Sequence, residues 1–138
     1  MLFELATPTR VLVSVEADEV VAPGAEGYFG VLPGHAAFLT TLAPGVVTYR
    51  SGQNEQHLAV AGGFAEVRAE RVIILAENAE RPEEIDRGRS ERARQRAEMR
   101  LQGKPSDGSQ EDIDFARALG ALARALARLL VVSQTPSR

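Results

Sequence analysis

The sequence predicts a β + α protein, with an all-β part over residues 1–81 and an α-helical hairpin over residues 82–138. Two observations predict the β part: short runs rich in Val, Leu and Ile, and turn-forming pairs such as Pro-Gly and Gly-Gly between them. A third observation predicts the hairpin, because beyond Pro82 the apolar residues recur at helical spacing. Many short strands with closely spaced turns indicate a sandwich or a flattened barrel.

Five apolar segments are the strand candidates. Valines alternate with other residues over 11–15, and further runs cover residues 20–21, 46–49, 58–60 and 72–75. Turn-forming pairs at 23–24, 33–34, 44–45, 51–52 and 62–63 are predicted to separate strands. No segment repeats another.

Two helices are predicted after the strands. The first runs from about Glu83 to Leu101, because Pro82 is favoured at a first helical position and acidic residues follow it. A flexible connection over residues 103–109 leads to a second helix from about Gln110 to Val132.

The second helix carries an apolar stripe on one face and arginines on the opposite face. We expect the stripe to pack on the β part, as in an ordinary amphipathic helix. The stripe consists of Phe115, Leu119, Leu122, Leu126 and Leu129, and the arginines are Arg117, Arg124 and Arg128.

Composition excludes several kinds of site. The chain has no cysteine, which rules out disulfides and thiolate chemistry, and two histidines are too few for a multi-histidine metal site. No apolar run approaches the length of a membrane span, and no leader is recognisable, so we expect a soluble cytoplasmic chain. No convincing catalytic set is present, which disfavours an enzyme.

Charge is distributed unevenly along the chain. Residues 1–80 carry four basic and ten acidic side chains, whereas residues 81–138 carry twelve basic and nine acidic ones. The acidic first part argues against a nucleic-acid partner. The arginine-rich second part suits an anion, because guanidinium groups bind phosphate in bidentate fashion.

Motifs along almost the whole chain resemble the ε subunit of F-type ATP synthases. Residues 27–45, GYFGVLPGHAAFLTTLAPG, resemble that family's pattern G-x-x-G-[IV]-L-P-G-H-x-x-[LF]-[LV]-T-x-L-x-P-G. Residues 61–67 (AGGFAEV), 72–76 (VIILA) and 112–118 (DIDFARA) are similar to its later segments. Residues 85–90 (IDRGRS) resemble its [IL]-D-x-x-R-A motif, with Ser90 where alanine is usual.

The resemblance implies a ten-stranded β-sandwich followed by a helical hairpin. It implies a non-catalytic rotor subunit of the central stalk, whose sandwich binds the γ subunit and the c-ring. The hairpin is expected either to fold against the sandwich or to extend toward the catalytic αβ subunits and hinder ATP hydrolysis. The expected location is peripheral, on the cytoplasmic face of a bacterial membrane, with no nucleic-acid partner.

The glycine-rich loop near residue 30 has two interpretations. Under the resemblance it is a rotor contact, and under the simpler interpretation it only forms tight turns. It lacks the Lys-Ser/Thr of a phosphate-binding loop. The residues expected to make the rotor contact are Tyr28, Phe29, Val31 and His35.

The resemblance also implies a regulatory ATP site within the folded hairpin, with no catalytic cofactor and no metal. Arginines gathered from both helices repel one another unless an anion neutralises them, so a bound triphosphate would stabilise the folded hairpin. The alternative is that these arginines form ordinary surface ion pairs, which are weak and common. The residues carried over are Glu80, Ile85, Asp86, Arg89, Arg96, Arg124 and Arg128. A stand-alone ATP-sensing module is the alternative function.

Overall fold

The computed structural model describes residues 1–104 and 114–134. These residues form eight strands, a short 3-10 turn and two helices. The strands are β1 (Leu2–Ala6), β2 (Val11–Glu16), β3 (Glu19–Gly24), β4 (Gly27–Val31), β5 (Phe38–Ser51), β6 (Asn54–Arg68), β7 (Arg71–Ala76) and β8 (Ala79–Glu80). The turn covers Pro82–Glu84, and the helices are α1 (Arg87–Leu101) and α2 (Phe115–Gln134).

The two long strands account for the difference between eight strands and the expected ten. β5 and β6 pair with each other along their whole length. β3 pairs with the second part of β5, which lies opposite the first part of β6, whereas β7 pairs with the second part of β6, which lies opposite the first part of β5. Each long strand therefore takes part in both layers of a sandwich. Counting each long strand as two segments turns the eight strands into ten. The prediction of a β-sandwich with a C-terminal helical hairpin is therefore confirmed.

Two predicted turns lie inside these long strands. The Pro-Gly pair at 44–45 is in β5 and the Gly-Gly pair at 62–63 is in β6, so neither pair separates strands. Gly63 has φ +122°, and a Cβ atom there would lie 2.1 Å from the Leu75 carbonyl oxygen. Only glycine permits this close approach of the two backbones. Gly63 is therefore explained by the contact with Leu75 and not by a turn.

The core lies between the two layers of the sandwich. Alternate residues of β1 and β7 are fully buried, among them Phe3, Leu5 and Ile74, and they pack with Val20 and Val47 from the other layer. The main cluster of buried apolar residues lies entirely within residues 1–79. The sandwich therefore has a core of its own, to which none of the described hairpin residues contributes.

Helix α1 begins later than the sequence predicts. Pro82–Glu84 form the 3-10 turn, Asp86 has an extended backbone, and the helix starts at Arg87. The Asp86 carboxylate accepts a 3.0 Å hydrogen bond from the Arg89 backbone N–H, which makes Asp86 the N-cap. The acidic residues after Pro82 were mistaken for a first helical turn.

Helix α2 is rotated relative to the prediction. Ala127 and Val131 pack against Val46 and Ala59 of the sandwich, so small side chains make this contact. The leucine stripe was predicted to pack there, and that prediction is wrong, because Leu119 and Leu126 are exposed. The predicted helix start at Gln110 and most of the connection over 103–109 lie outside the described residues.

Candidate functional site

A groove of about 370 Å³ lies where β8, the start of α1 and α2 meet. Its lining combines acidic side chains from β8 and from the segment before α1 with arginines from both helices. This volume is within the range of small-molecule sites. Its lining includes five of the seven residues predicted to bind ATP: Glu80, Asp86, Arg89, Arg96 and Arg128.

Glu80 and Arg128 join the sandwich to α2. The Arg128 Nε–H donates to Glu80 Oε1 over 2.6 Å, and both side chains are about three-quarters buried. Arg124 lies one helical turn before Arg128 and shares with it and Glu80 a smaller depression on the sandwich surface. All three predicted residues are therefore adjacent, and Glu80 compensates the charge of only one arginine.

Arg89 and Arg96 line the groove from α1. Within residues 1–104 and 114–134, neither guanidinium has a carboxylate at ion-pair distance. Arg94, by contrast, points to the other side of α1 and pairs with Glu91 and Glu98. The surface-pair interpretation thus describes Arg94, and Arg128 of the groove is paired with Glu80, whereas Arg89 and Arg96 have no such pair within these residues.

Two predicted residues have structural positions as well. Asp86 caps α1, and its backbone carbonyl accepts a hydrogen bond from the buried Ser90 hydroxyl over 2.9 Å. Ser90 stands where the family motif usually has alanine, and this hydrogen bond gives its hydroxyl a partner. Ile85 does not line the groove but packs beside Val46 and Val131 in the contact between sandwich and hairpin. It positions the start of α1 relative to α2.

The four predicted rotor-contact residues are distributed between the core and the surface. Val31 is fully buried, so the prediction that its side chain contacts a partner is wrong. Phe29 is half-buried and packs edge-on against Phe38. Tyr28 is 59% exposed, while its hydroxyl accepts a hydrogen bond from the Val46 N–H over 2.9 Å. His35 is half-buried beside the Phe38 ring.

Two domain models cover nearly all of the chain. The β-sandwich domain of the ATP synthase Delta/Epsilon chain matches residues 1–82, and the long α-helix domain of the same chain matches residues 83–133. The chain belongs to the ATP synthase epsilon chain family. The boundary between these domains lies one residue beyond the predicted division at 81/82.

Relatives and solved structures agree with the family. The ATP synthase epsilon chain of Moorella thermoacetica is 50% identical over 127 residues, which are 91% of each chain. That of Nitratidesulfovibrio vulgaris strain DP4 is 48% identical over 93% of this chain and 92% of the relative. A chain in the Euglena gracilis mitochondrial ATP synthase, in an OSCP/F1/c-ring structure, has a TM-score of 0.76 and 25% identity over 91% of this chain and 76% of its own.

An anchor between the sandwich and the epsilon-family hairpin was missed in the sequence. Arg10, between β1 and β2, donates to both oxygens of Glu84 over 2.6 and 3.1 Å and to the Ala79 carbonyl. The hydrogen bond from Arg10, followed by that from the Arg81 N–H, lowers the pKa of the Glu84 carboxyl. The same bond raises the pKa of Arg10. These residues are 74 positions apart, so no local pattern indicated their contact.

An exposed apolar patch on the sandwich was also missed. Phe64 and Leu75 are directly opposite each other on β6 and β7, and Leu39 follows on the same face of β5. Their exposures are 55%, 57% and 70%. Alternation alone did not indicate which face of these strands is open to solvent.

No helix among the described residues is long and apolar enough to cross a membrane.

Proposed function

We propose that this chain is a non-catalytic rotor subunit of a bacterial-type ATP synthase. In this role it turns with the central stalk, couples proton flow to ATP synthesis, and regulates ATP hydrolysis through the position of its hairpin. It lies peripherally at the cytoplasmic face of the membrane. The support is family membership together with the architecture, since the Euglena neighbour comes from an F1/c-ring assembly.

The rotor contacts have separate surfaces available on the sandwich. Leu39, Phe64 and Leu75 are exposed on one face of β5, β6 and β7, and contiguous exposed apolar residues mark interaction sites. We assign this patch to the γ subunit. The surface assigned to the c-ring consists of Tyr28 of β4 and of Leu32 and His35, which follow that strand; the Leu32 side chain is 54% exposed.

The regulatory role rests on how weakly the hairpin is held. The contact between α2 and the sandwich is made by alanine and valine side chains and by the Glu80–Arg128 pair. Small side chains bury little apolar area, so this contact is worth less than a leucine-lined one. A hairpin held in this way is suited to detach and reach the αβ subunits, where its arginines meet acidic surfaces.

ATP is the proposed regulatory ligand, and the groove is the single observation that carries this assignment. Arg89, Arg96 and Arg128 converge there from two helices, with Glu80 beside them. A triphosphate neutralises the converging guanidinium groups, and a carboxylate suits the adenine amino group. Because this groove exists only while the hairpin is folded, bound ATP stabilises the folded state and favours hydrolysis-competent enzyme.

Calorimetric titration of the full chain with ATP, with ADP for comparison, tests the ligand. We expect saturable binding that prefers ATP and is weakened at least about tenfold by Arg89→Ala, since an arginine–phosphate contact contributes a charge-assisted bond. Arg87→Ala is the matched control on the same helix, because Arg87 does not line the groove. Equal binding by wild type and Arg89→Ala would place the nucleotide elsewhere, and no binding at millimolar ATP would remove it from the function.

Binding to an isolated γ subunit tests the rotor assignment separately. Phe64→Ser should weaken this binding, whereas Arg89→Ala should leave it unchanged. A chain that binds ATP but not γ would instead be a stand-alone ATP-sensing module, which is the alternative function.

A further inference from the structure

The groove of the proposed ATP site has no net charge in its own lining. Among the described residues, three carboxylates and three guanidinium groups line it. The phosphates of ATP carry several negative charges, so a neutral lining attracts them less than a positive one. The charged lining residues are Glu80, Glu84, Asp86, Arg89, Arg96 and Arg128. A further cation beside the groove would therefore change how well the groove binds an anion.

Two of the three carboxylates have partners within the groove itself. Glu80 Oε1 accepts from the Arg128 Nε–H over 2.6 Å, and the Asp86 carboxylate accepts from the Arg89 backbone N–H over 3.0 Å. Glu84 differs, because the side chain that pairs with it does not line the groove. Its charge is compensated from outside.

Arg10, between β1 and β2, supplies this compensation. Its two terminal nitrogens donate to Glu84 Oε2 over 2.6 Å and to Oε1 over 3.1 Å, which is the bidentate form of an arginine–carboxylate pair. One of these nitrogens also donates to the Ala79 carbonyl over 3.0 Å, which holds the guanidinium beside β8. The hydrogen bond from Arg10 is the largest cause of the lowered pKa of Glu84, so this carboxyl is ionised at neutral pH.

We propose that Arg10 is a positioning residue of the ATP site, which keeps the Glu84 carboxylate from competing with the ATP phosphates for the groove arginines. Arg10 does not contact the ligand and acts only through Glu84. In its absence an ionised, unpaired Glu84 shares the groove with Arg89 and Arg96, and a phosphate has to displace it. This inference rests on the proposed function, in that ATP is taken to bind in this groove.

A purely structural role for the same pair makes a different prediction. Arg10 and Glu84 also join the β1–β2 turn to the 3-10 turn before α1. If the pair serves only as this anchor, Glu84→Gln removes the anchor and weakens ATP binding, as Arg10→Gln does. If Arg10 neutralises Glu84, loss of the carboxylate leaves a positive charge beside the groove and strengthens binding. Glutamine retains the oxygen that accepts from the Arg81 N–H over 2.9 Å.

Calorimetric titration of the full chain with ATP separates the two roles. We expect Arg10→Gln to weaken binding about tenfold, because it leaves one uncompensated negative charge in the groove. Glu84→Gln should bind ATP several-fold more tightly than wild type, and the double variant Arg10→Gln/Glu84→Gln should return to the wild-type affinity. Arg10→Lys, which keeps the charge, should retain most of the affinity.

Arg71→Gln is the matched control. Arg71 pairs with Glu4 on the sandwich over 2.8 Å, and neither residue lines the groove, so the change in net charge is the same but its place is different. This variant should bind ATP like wild type, and circular dichroism checks that every variant retains its fold.

The outcomes distinguish this inference from the proposed function. Wild-type binding that Arg10→Gln leaves unchanged, or that Glu84→Gln weakens, would overturn the role of Arg10 and leave ATP as the ligand. An equal loss in Arg71→Gln would also overturn it, because net charge alone would then explain the effect. No ATP binding by wild type would remove the ligand from the proposed function, and this inference with it.

Discussion

Replacing Glu80 with glutamine removes the carboxylate that joins the sandwich to α2. The pair is short, at 2.6 Å, and each partner is about three-quarters buried. A charge-assisted hydrogen bond of this kind contributes ~1.5–3 kcal/mol. We use the lower end, because the partners retain some access to water. A loss of about 1.5 kcal/mol makes the folded hairpin roughly tenfold less favoured.

The substitution also removes the carboxylate that pairs with Arg128, which lies beside Arg124. The two guanidinium groups are four residues apart on one face of α2, which is a repulsive spacing. This repulsion acts in the same direction as the lost hydrogen bond. Glutamine keeps the size of the side chain, so the sandwich itself should be unaffected.

Amide hydrogen exchange measured without nucleotide is the suitable assay. We expect the α2 amides to exchange about tenfold faster in Glu80→Gln, while the amides of β1 and β7 keep their protection. Glu91→Gln is the matched control, because Glu91 pairs with Arg94 inside α1 and does not reach the sandwich. Unchanged α2 exchange, or an equal increase in the control, would refute the view that this pair holds the hairpin.

Three further predictions concern the anchor, the strand crossing and the independence of the sandwich. The pKa of Glu84 is lowered from 4.5, mainly by its hydrogen bond from Arg10. This bond therefore stabilises the folded chain above pH 4.5, and the stability is lost as the pH falls through the lowered pKa. Arg10→Gln should flatten the dependence of the unfolding free energy on pH in this acid range. Gly63→Ala should destabilise the chain by at least about 2 kcal/mol in urea unfolding, since a Cβ there meets the Leu75 carbonyl, whereas Gly52→Ala, with open space around it, should cost less. Deleting residues 82–138 should leave a cooperatively folding sandwich, because its main core lies within residues 1–79; a non-cooperative thermal transition would show that the hairpin is needed.

The predicted fold class was confirmed because strand and helix periods are local properties. Alternating valines in β2 and the seven-residue repeat in α2 each depend on residues close together in the chain. Element boundaries were less accurate. Asp86 caps α1 where Pro82 was expected to begin it, because the capping bond was not visible in the order of acidic residues.

Most residues of the candidate groove were predicted from the sequence, but their arrangement in space was not. The resemblance of residues 85–90 to a family motif selected Asp86 and Arg89, and the structure places both beside Glu80 and Arg128. The rotation of α2 was predicted wrongly. Hydrophobicity favoured burial of the leucines, and only the packing of Ala127 and Val131 on the sandwich shows that the leucines face outward.

The sequence by itself determined the two-part architecture, the absence of thiol chemistry and the family, because each depends on composition or on residues near one another in the chain. Only the tertiary structure decided which face of α2 is covered, which arginines of the groove have no ion pair within residues 1–104 and 114–134, and how Arg10 reaches Glu84. These depend on contacts between residues tens of positions apart, and the free energy of such contacts is set by the approach of whole elements and not by local preference.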